Sequence, residues 1–357
     1  MADSHVVSNR IDWIDAAKGI AMLLVFYGHL RGRGDNPWFP GLAGSIDVVY
    51  YFHMPLFFIL SGLTFHANKD FRTFITTRFR RLIIPAYFFS LYAVAKLILK
   101  MLSPAAFNSF HSGRMSGSFW KGLVDILLGN VSGMWFFWAL FWGDIVLWII
   151  FRNIGTKGIW VAVPICLFLW CVVQQLGLSS PFHLLTSFEA IAFTGLGVLL
   201  SERILESNHR SIGIRFLCAG ATFAFSACLL QIAGLHSLFV HALLLILAAI
   251  SGSLAVVTFA QLIPAIGFLK VIGRNTIIYY GLNGFSLSMS KLLFFRVIPI
   301  DFVSTHLWVQ LISGAVIITL ACLICSICGM IIRRWLWWAI GDRKQKTVSF
   351  RAYGSLR

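Results

Sequence analysis

Ten predominantly apolar runs, each about twenty residues long and separated by short polar segments, most restrict what this chain can fold into. They fall near 14–30, 46–66, 82–102, 134–151, 158–177, 182–200, 214–233, 236–259, 275–294 and 306–331. A helix rising about 1.5 Å per residue needs about 20 residues to cross the roughly 30 Å hydrocarbon core of a bilayer. Inside that core the backbone must satisfy its own hydrogen bonds, so runs of this length are read as helices. The expected fold class is all-α, a polytopic integral membrane bundle of about ten transmembrane helices. Ser187 and Glu189 interrupt the sixth run and Asn283 the ninth. The stretch 119–130 is expected to form a half-helix or an amphipathic segment at the interface.

Composition supports this class and removes others. The chain is 59% hydrophobic and 12% charged, against about 25% charged in an ordinary soluble domain. Mean hydropathy is +0.83, with 33 Phe and 13 Trp, which leaves too little polar surface to cover a water-soluble globule. A soluble enzyme, a disordered chain and a nucleic-acid-binding module are excluded. The net charge of +16 records orientation instead. With the N-terminus cytoplasmic, segments 1–13, 67–81, 152–157, 201–215, 260–274 and 333–357 hold 20 of the 29 Lys and Arg residues. Lys18 lies at the inner end of the first run. Both termini are therefore expected inside. Residues 1–357 are expected to form a single transmembrane domain, with 342–357 a short basic cytoplasmic tail.

The first run lacks a small-x-small cleavage site and is read as a retained span. The cysteines Cys166, Cys171, Cys218, Cys228, Cys322, Cys325 and Cys328 all fall within apolar runs, so no disulfide framework is implied. Cys322, Cys325 and Cys328 wind around one apolar helix with no fourth ligand nearby and read as packing residues. Gly195 and Gly197 follow no strand and likewise read as helix packing.

Ionisable groups inside spans are costly, and each is a functional candidate. Lys18 and His29 lie eleven positions apart, three helical turns plus about 20°, so they share one face about 16 Å apart along the axis. His53 enters the second run from its outer end. Arg78 and Arg81 close the following inner loop at i and i+3, a spacing that makes helical neighbours. Arg72 and Arg80 read as ordinary positive-inside anchors. Paired guanidinium forks beside the inner end of Lys18 would suit a multiply phosphorylated cytoplasmic ligand.

Several blocks together resemble one family. R-I-D-W-I-D-A-A-K-G-I-A with His29, F-H-M-P-L-F-F-I-L-S-G from Phe52, and R-F-R-R-L-I-I-P with Arg78 and Arg81 appear in order. M-W-F-F-W-A-L-F-W-G-D, containing Trp135 and Asp144, and I-G-R-N-T-I-I-Y-Y from Ile272 follow. The chain resembles the acyltransferase-3 membrane acyltransferases, in particular the branch similar to fucose 4-O-acetylases. It departs from their pattern at Phe137 and Trp138, where Leu-Pro is usual, and at Asn283, near which many relatives carry histidine.

The resemblance implies a multi-pass enzyme of the bacterial inner membrane that transfers an acyl group, usually acetyl, from cytoplasmic acyl-CoA to a hydroxyl of a glycan. Acetyl-CoA would be the co-substrate, no metal would be needed, and the acceptor would be a surface polysaccharide or lipid-linked saccharide. Lys18, Arg78 and Arg81 could hold the CoA phosphates. His29, of a residue type that titrates at about 6.5, could take the hydroxyl proton as general base. A carboxylate or carbonyl should fix its tautomer; Asp144, Glu189 and Asp47 are the carboxylate candidates, with Asp144 placed in the catalytic set. His53 and Trp135 are expected on the acceptor side, although a lone His53 beside Met-Pro also reads as structural. Trp38–Phe39 and the segment 107–120 could stack on sugars or anchor the interface. The competing reading is a secondary transporter or flippase of a lipid-linked glycan, which explains the spans and charges but not the spacing of Lys18, His29, Arg78 and Arg81.

Overall fold

The computed structural model describes residues 11–31, 38–103, 119–131, 133–206, 208–232, 237–264 and 266–342. The tail from 343 onward, Arg33, Arg114 and the aromatic segment 107–118 lie outside the described residues. Among the described residues every secondary-structure element is helical.

The first span is α1 (Asp12–Gly28). The second comprises a short 3₁₀ turn at Pro40–Leu42, α2 (Ala43–Tyr50) and α3 (His53–Leu63). The third is entered by α4 (Phe71–Arg78), passes a π turn at Phe79–Ile83 and continues as α5 (Ile84–Leu102). The short α6 (Phe119–Leu127) is followed by α7 (Trp135–Ile154), α8 (Thr156–Gln175) and α9 (Ser187–Leu205). Then come α10 (His209–Gln231), α11 (Leu238–Leu262), α12 (Gly267–Arg274), α13 (Thr276–Phe295), α14 (Ile300–Ser304) and α15 (Leu307–Trp335).

These helices overlie the ten apolar runs, and 119–130 contains the short α6. Eight spans are long and apolar enough to cross a membrane by length and composition. The two that fall short are α1, at 17 residues with Asp12, Asp15 and Lys18, and α13, whose buried face carries Asn283, Ser286, Ser290 and Lys291. A helix face that polar is tolerated in a bundle only where it turns away from lipid.

Packing sorts the spans. The segment Pro40–Leu63 is 72% buried within its most apolar window, whereas His209–Gln231 is 17% buried, so α3 lies at the centre and α10 at the periphery. On α10 and α15, Leu217, Phe225, Ile312 and Ile327 point outward, as lipid-facing side chains should. At the centre, α3 and α9 cross backbone to backbone. A Cβ at Gly62 would overlap the Thr194 carbonyl oxygen, and one at Gly197 would overlap that of Ile59. Small residues at such crossings let helices meet where the hydrophobic effect gives no drive between them.

The long-range hydrogen bonds divide the molecule into two ends. Gly41 meets Gln310, Gln231 meets Gly44, Tyr27 meets Ser45 and Lys291 meets His29 at one end. Asp12 and Asp15 meet Lys270 and Arg274, Arg333 meets Asn275, and Gly341 packs on Arg80 at the other. These are the ends that the charge distribution assigns to the outer and cytoplasmic sides.

Two spans are broken, each for a local reason. Between α2 and α3 the backbone leaves helical geometry at Phe52 (φ −137°, ψ −16°), and Leu56 restarts the ladder by donating to the Phe52 carbonyl at 2.9 Å. Pro55, in that first turn, has no N–H to leave unsatisfied. Before α5 the residue Pro85 cannot donate to the Arg81 carbonyl, and the chain re-registers through the π turn. The first break delivers His53 and the second presents the arginines.

Candidate active site

At the outer end, α1 terminates on His29, the C-cap residue (φ −87°, ψ 5°). Its ring Nδ1 lies 2.8 Å from the Val25 carbonyl oxygen. A carbonyl only accepts, so Nδ1 carries the hydrogen, and in the neutral ring the lone pair is on Nε2. His53 repeats the arrangement, with Nδ1 3.0 Å from the Val49 oxygen. Tyr50 stands between them, its ring centroid 6.5 Å from that of His29 and 4.9 Å from that of His53. The Tyr50 hydroxyl donates to the Gly28 carbonyl at 3.3 Å. His29 is exposed and His53 is buried. The result is an imidazole of fixed tautomer at the outer end of α1, with a second one across the Tyr50 ring.

At the inner end, Arg78 leaves the last turn of α4 and reaches into the bundle, where its Nε lies 3.0 Å from Asp144 Oδ2. Asp144 is fully buried in the middle of α7. Neither carboxylate oxygen meets the geometry of a hydrogen bond, so the contact is best described as an ion pair. The guanidinium also lies over the Phe74 ring, 5.2 Å from its centroid. Arg81, one π turn on, is exposed, and Lys18 is half-buried on α1. Because α1 is helical without a break from Asp12 to Gly28, Lys18 and His29 keep the one-face relation, about 16 Å apart along the axis.

Asp144, one of the three carboxylates considered for orienting His29, has its ion pair elsewhere. A carboxylate removed from water needs a cation, and Asp144 finds it in Arg78 at the inner end. The partner of the His29 ring is the Val25 carbonyl. Of the other carboxylates, Asp47 is paired with Arg31 at 2.6 Å, and Glu189 is buried in the first turn of α9. Trp135, half-buried at the start of α7, has its ring against Phe58 and Phe136, 6.3 Å from each centroid. It therefore lies among core aromatics.

Sequence reasoning passed over three features. Tyr50 drew no attention as an interfacial aromatic. Lys291, within the ninth apolar run, was given no role. The third is a clamp at the inner end: Lys270 Nζ meets Asp12 at 3.0 Å, and Arg274 meets Asp12 at 3.0 Å and Asp15 at 2.8 Å. Its signal was present as acids at i, i+3 on α1 and bases at i, i+4 on α12, but about 260 residues separate the two halves. The clamp joins the I-D-W-I-D and I-G-R-N blocks, and a Cβ at Gly273 would overlap the Asp15 carbonyl oxygen.

Comparison with known proteins assigns the family. Two curated relatives carry the name nodulation protein NolL. The one from Sinorhizobium fredii (strain NBRC 101917 / NGR234) is 33% identical over 142 residues, 37% of this chain and 34% of the relative. The one from Mesorhizobium japonicum (strain LMG 29417 / CECT 9101 / MAFF 303099) is 27% identical over 161 residues, 43% of this chain and 39% of the relative. The matched part spans only about a third of the length of each relative. No solved structure matches the chain. Residues 11–328, which include both ends of the site, match the acyltransferase domain of the acyltransferase-3 family, and the chain belongs to that family of membrane proteins.

Proposed function

We propose that this protein is a membrane-embedded O-acyltransferase that moves an acyl group, acetyl in the first instance, from cytoplasmic acyl-CoA to a hydroxyl of a cell-surface or lipid-linked glycan. Its place would be the bacterial inner membrane. The observation that carries this reading is the Nδ1 bond of His29 to Val25, which places the lone pair of the neutral ring on Nε2, the nitrogen that would act as base. Family membership supplies the reaction class.

The reaction is written with its protons balanced. Nε2 of His29 takes the proton of the acceptor hydroxyl as the oxygen attacks the thioester carbonyl. Collapse of the tetrahedral intermediate breaks the C–S bond, and the proton held on His29 passes to the departing CoA thiolate. The products are the acetyl ester and CoA, with no net proton change at the protein. Arg78 and Arg81 hold the phosphates of CoA as forked donors, with Lys18 as a point charge. Asp144 fixes the Arg78 guanidinium in place. His53 and Trp135 are assigned to the acceptor side. The family position of these residues and the exposed ring of His29 favour this reading over a transporter, which needs no base of defined tautomer.

The test is acyl transfer itself. Purified protein in proteoliposomes, given acetyl-labelled acetyl-CoA and total lipid-linked saccharide, should yield labelled saccharide, and surface glycans of cells with the protein should be heavier by acetyl-sized increments. Unlabelled saccharide together with identical glycan masses in cells lacking the protein would refute the proposal.

A further inference from the structure

Among the described residues Lys291 is the only buried Lys or Arg. It projects from α13, and an ammonium withdrawn from water is costly unless it is well met. Here it is met by backbone. Its Nζ lies 2.9 Å from the His29 carbonyl oxygen and 3.4 Å from that of Leu30. The Trp38 ring covers it, with Nζ 4.5 Å from the centroid, and Phe295 packs edge-on against Trp38 at 5.3 Å. A lysine that served only as an interfacial anchor would extend its ammonium to water. Lys291 is drawn the other way, under an aromatic cover and onto the backbone of His29.

The C-terminus of α1 explains why that position is favourable. The last carbonyls of a helix lack intrahelical partners and carry the negative end of its dipole. In α1 the Val25 oxygen is taken by the His29 backbone and ring, and that of Tyr27 by the Leu30 N–H at 3.0 Å. The Gly28 oxygen is taken by the Tyr50 hydroxyl, and those of His29 and Leu30 by Lys291. Two other spans thus tie down the end of α1 that carries the exposed His29 ring.

We infer that Lys291 is a positioning residue for acyl transfer: its ammonium clamps the backbone of His29 and thereby sets where Nε2 points. The inference rests on the reading of His29 as the base. The ammonium itself touches no substrate. Its removal frees the end of α1 to shift, and displacement of a reacting group by about 1 Å is enough to cost on the order of a hundredfold in rate.

The test uses the full chain in lipid nanodiscs with Lys291→Met, which keeps length and removes charge, and Lys291→Arg, which keeps charge. The first readout needs no turnover: the rate at which diethyl pyrocarbonate modifies the His29 ring, followed by peptide mass spectrometry with the exposed His66 as internal control. Lys291→Met should raise the His29 rate about threefold or more with His66 unchanged, and Lys291→Arg should stay near the parent, as expected when a supporting contact rather than the fold is removed. In the second readout Lys291→Met should lower kcat about tenfold or more at unchanged KM for acetyl-CoA, with Lys291→Arg recovering most of it. An unchanged His29 rate in Lys291→Met, or equal acceleration of His29 and His66, overturns the inference. Activity that survives His29→Gln would instead overturn the assignment of the base, while the modification rates still decide the role of Lys291.

Discussion

Arg78 Nε lies 3.0 Å from Asp144 Oδ2, which ties the last turn of α4, at the entry to the third span, to the middle of α7. The carboxylate is fully buried and the arginine is one-fifth exposed, so one side of the guanidinium is committed to the fold while the other borders the cytoplasmic end. The pair holds the guanidinium at a fixed place, at the expense of part of its charge.

Breaking one side of this pair should cost more than replacing both. Arg78→Ala leaves a desolvated carboxylate and should lower the unfolding free energy by about 3–5 kcal/mol, whereas Arg78→Met with Asp144→Leu should recover much of it. A thermodynamic cycle in detergent should show a coupling of about 1–3 kcal/mol between the positions. Under the proposed assignment of Arg78 to the CoA phosphates, Arg78→Met with Asp144→Leu should still bind acetyl-CoA about tenfold more weakly. Additive single effects in the cycle would contradict the pairing.

The inner clamp makes a different prediction about what holds α1 to α12. The ion pairs of Asp12 are open to solvent, so Lys270→Gln, which touches Asp12 alone, should change stability little. Gly273 is where the backbones touch, and Gly273→Val must push α12 away from Asp15. It should destabilise by about 1–3 kcal/mol, and so by more than Lys270→Gln, in the same thermal unfolding assay. The reverse order would show that charge, not close approach, sets this contact.

Much of this architecture was legible because a bilayer restricts the choices. Apolar length marked the ten spans, and the Lys and Arg asymmetry matched the two ends that the hydrogen bonds define. The relation of Lys18 to His29 followed from helix periodicity alone, since both sit on one unbroken helix. What the sequence could not supply was pairing across the chain. Asp144 was visible as an intramembrane acid, but nothing local distinguishes a partner on α4 from one on α1. Lys291 and His29 lie 262 positions apart, and their contact is through a main-chain oxygen, which leaves no side-chain signature at the receiving end. The break at Phe52 was equally hidden, because Pro55 is compatible with a first helical turn and with a kink.

Acid should loosen the entrance to the third span. Asp70 caps α4, its carboxylate accepting from the Thr73 backbone N–H at 3.0 Å, and this contact, with the Thr73 hydroxyl, holds the carboxyl below the usual aspartate range. A depressed folded value means that the stabilisation is complete above the unfolded value of about 3.9 and is lost as pH falls through the folded one. Hydrogen exchange at residues 71–74 should therefore be faster in Asp70→Ala than in the parent at neutral pH, and the difference should vanish once the parent carboxyl is protonated. A difference that persists unchanged in strong acid would show that the cap acts through packing.

The most direct measurement of the central claim is single-turnover transfer of labelled acetyl from acetyl-CoA to saccharide by the parent and His29→Gln proteins, with acetyl-CoA binding followed in parallel. The variant keeps a polar side chain at the end of α1 but has no basic nitrogen. Transfer should fall by about 10²–10⁴-fold while acetyl-CoA binds as in the parent, since the proposed phosphate contacts involve Lys18, Arg78 and Arg81 and not His29. Transfer within a few-fold of the parent, or loss of acetyl-CoA binding in step with transfer, would contradict the account.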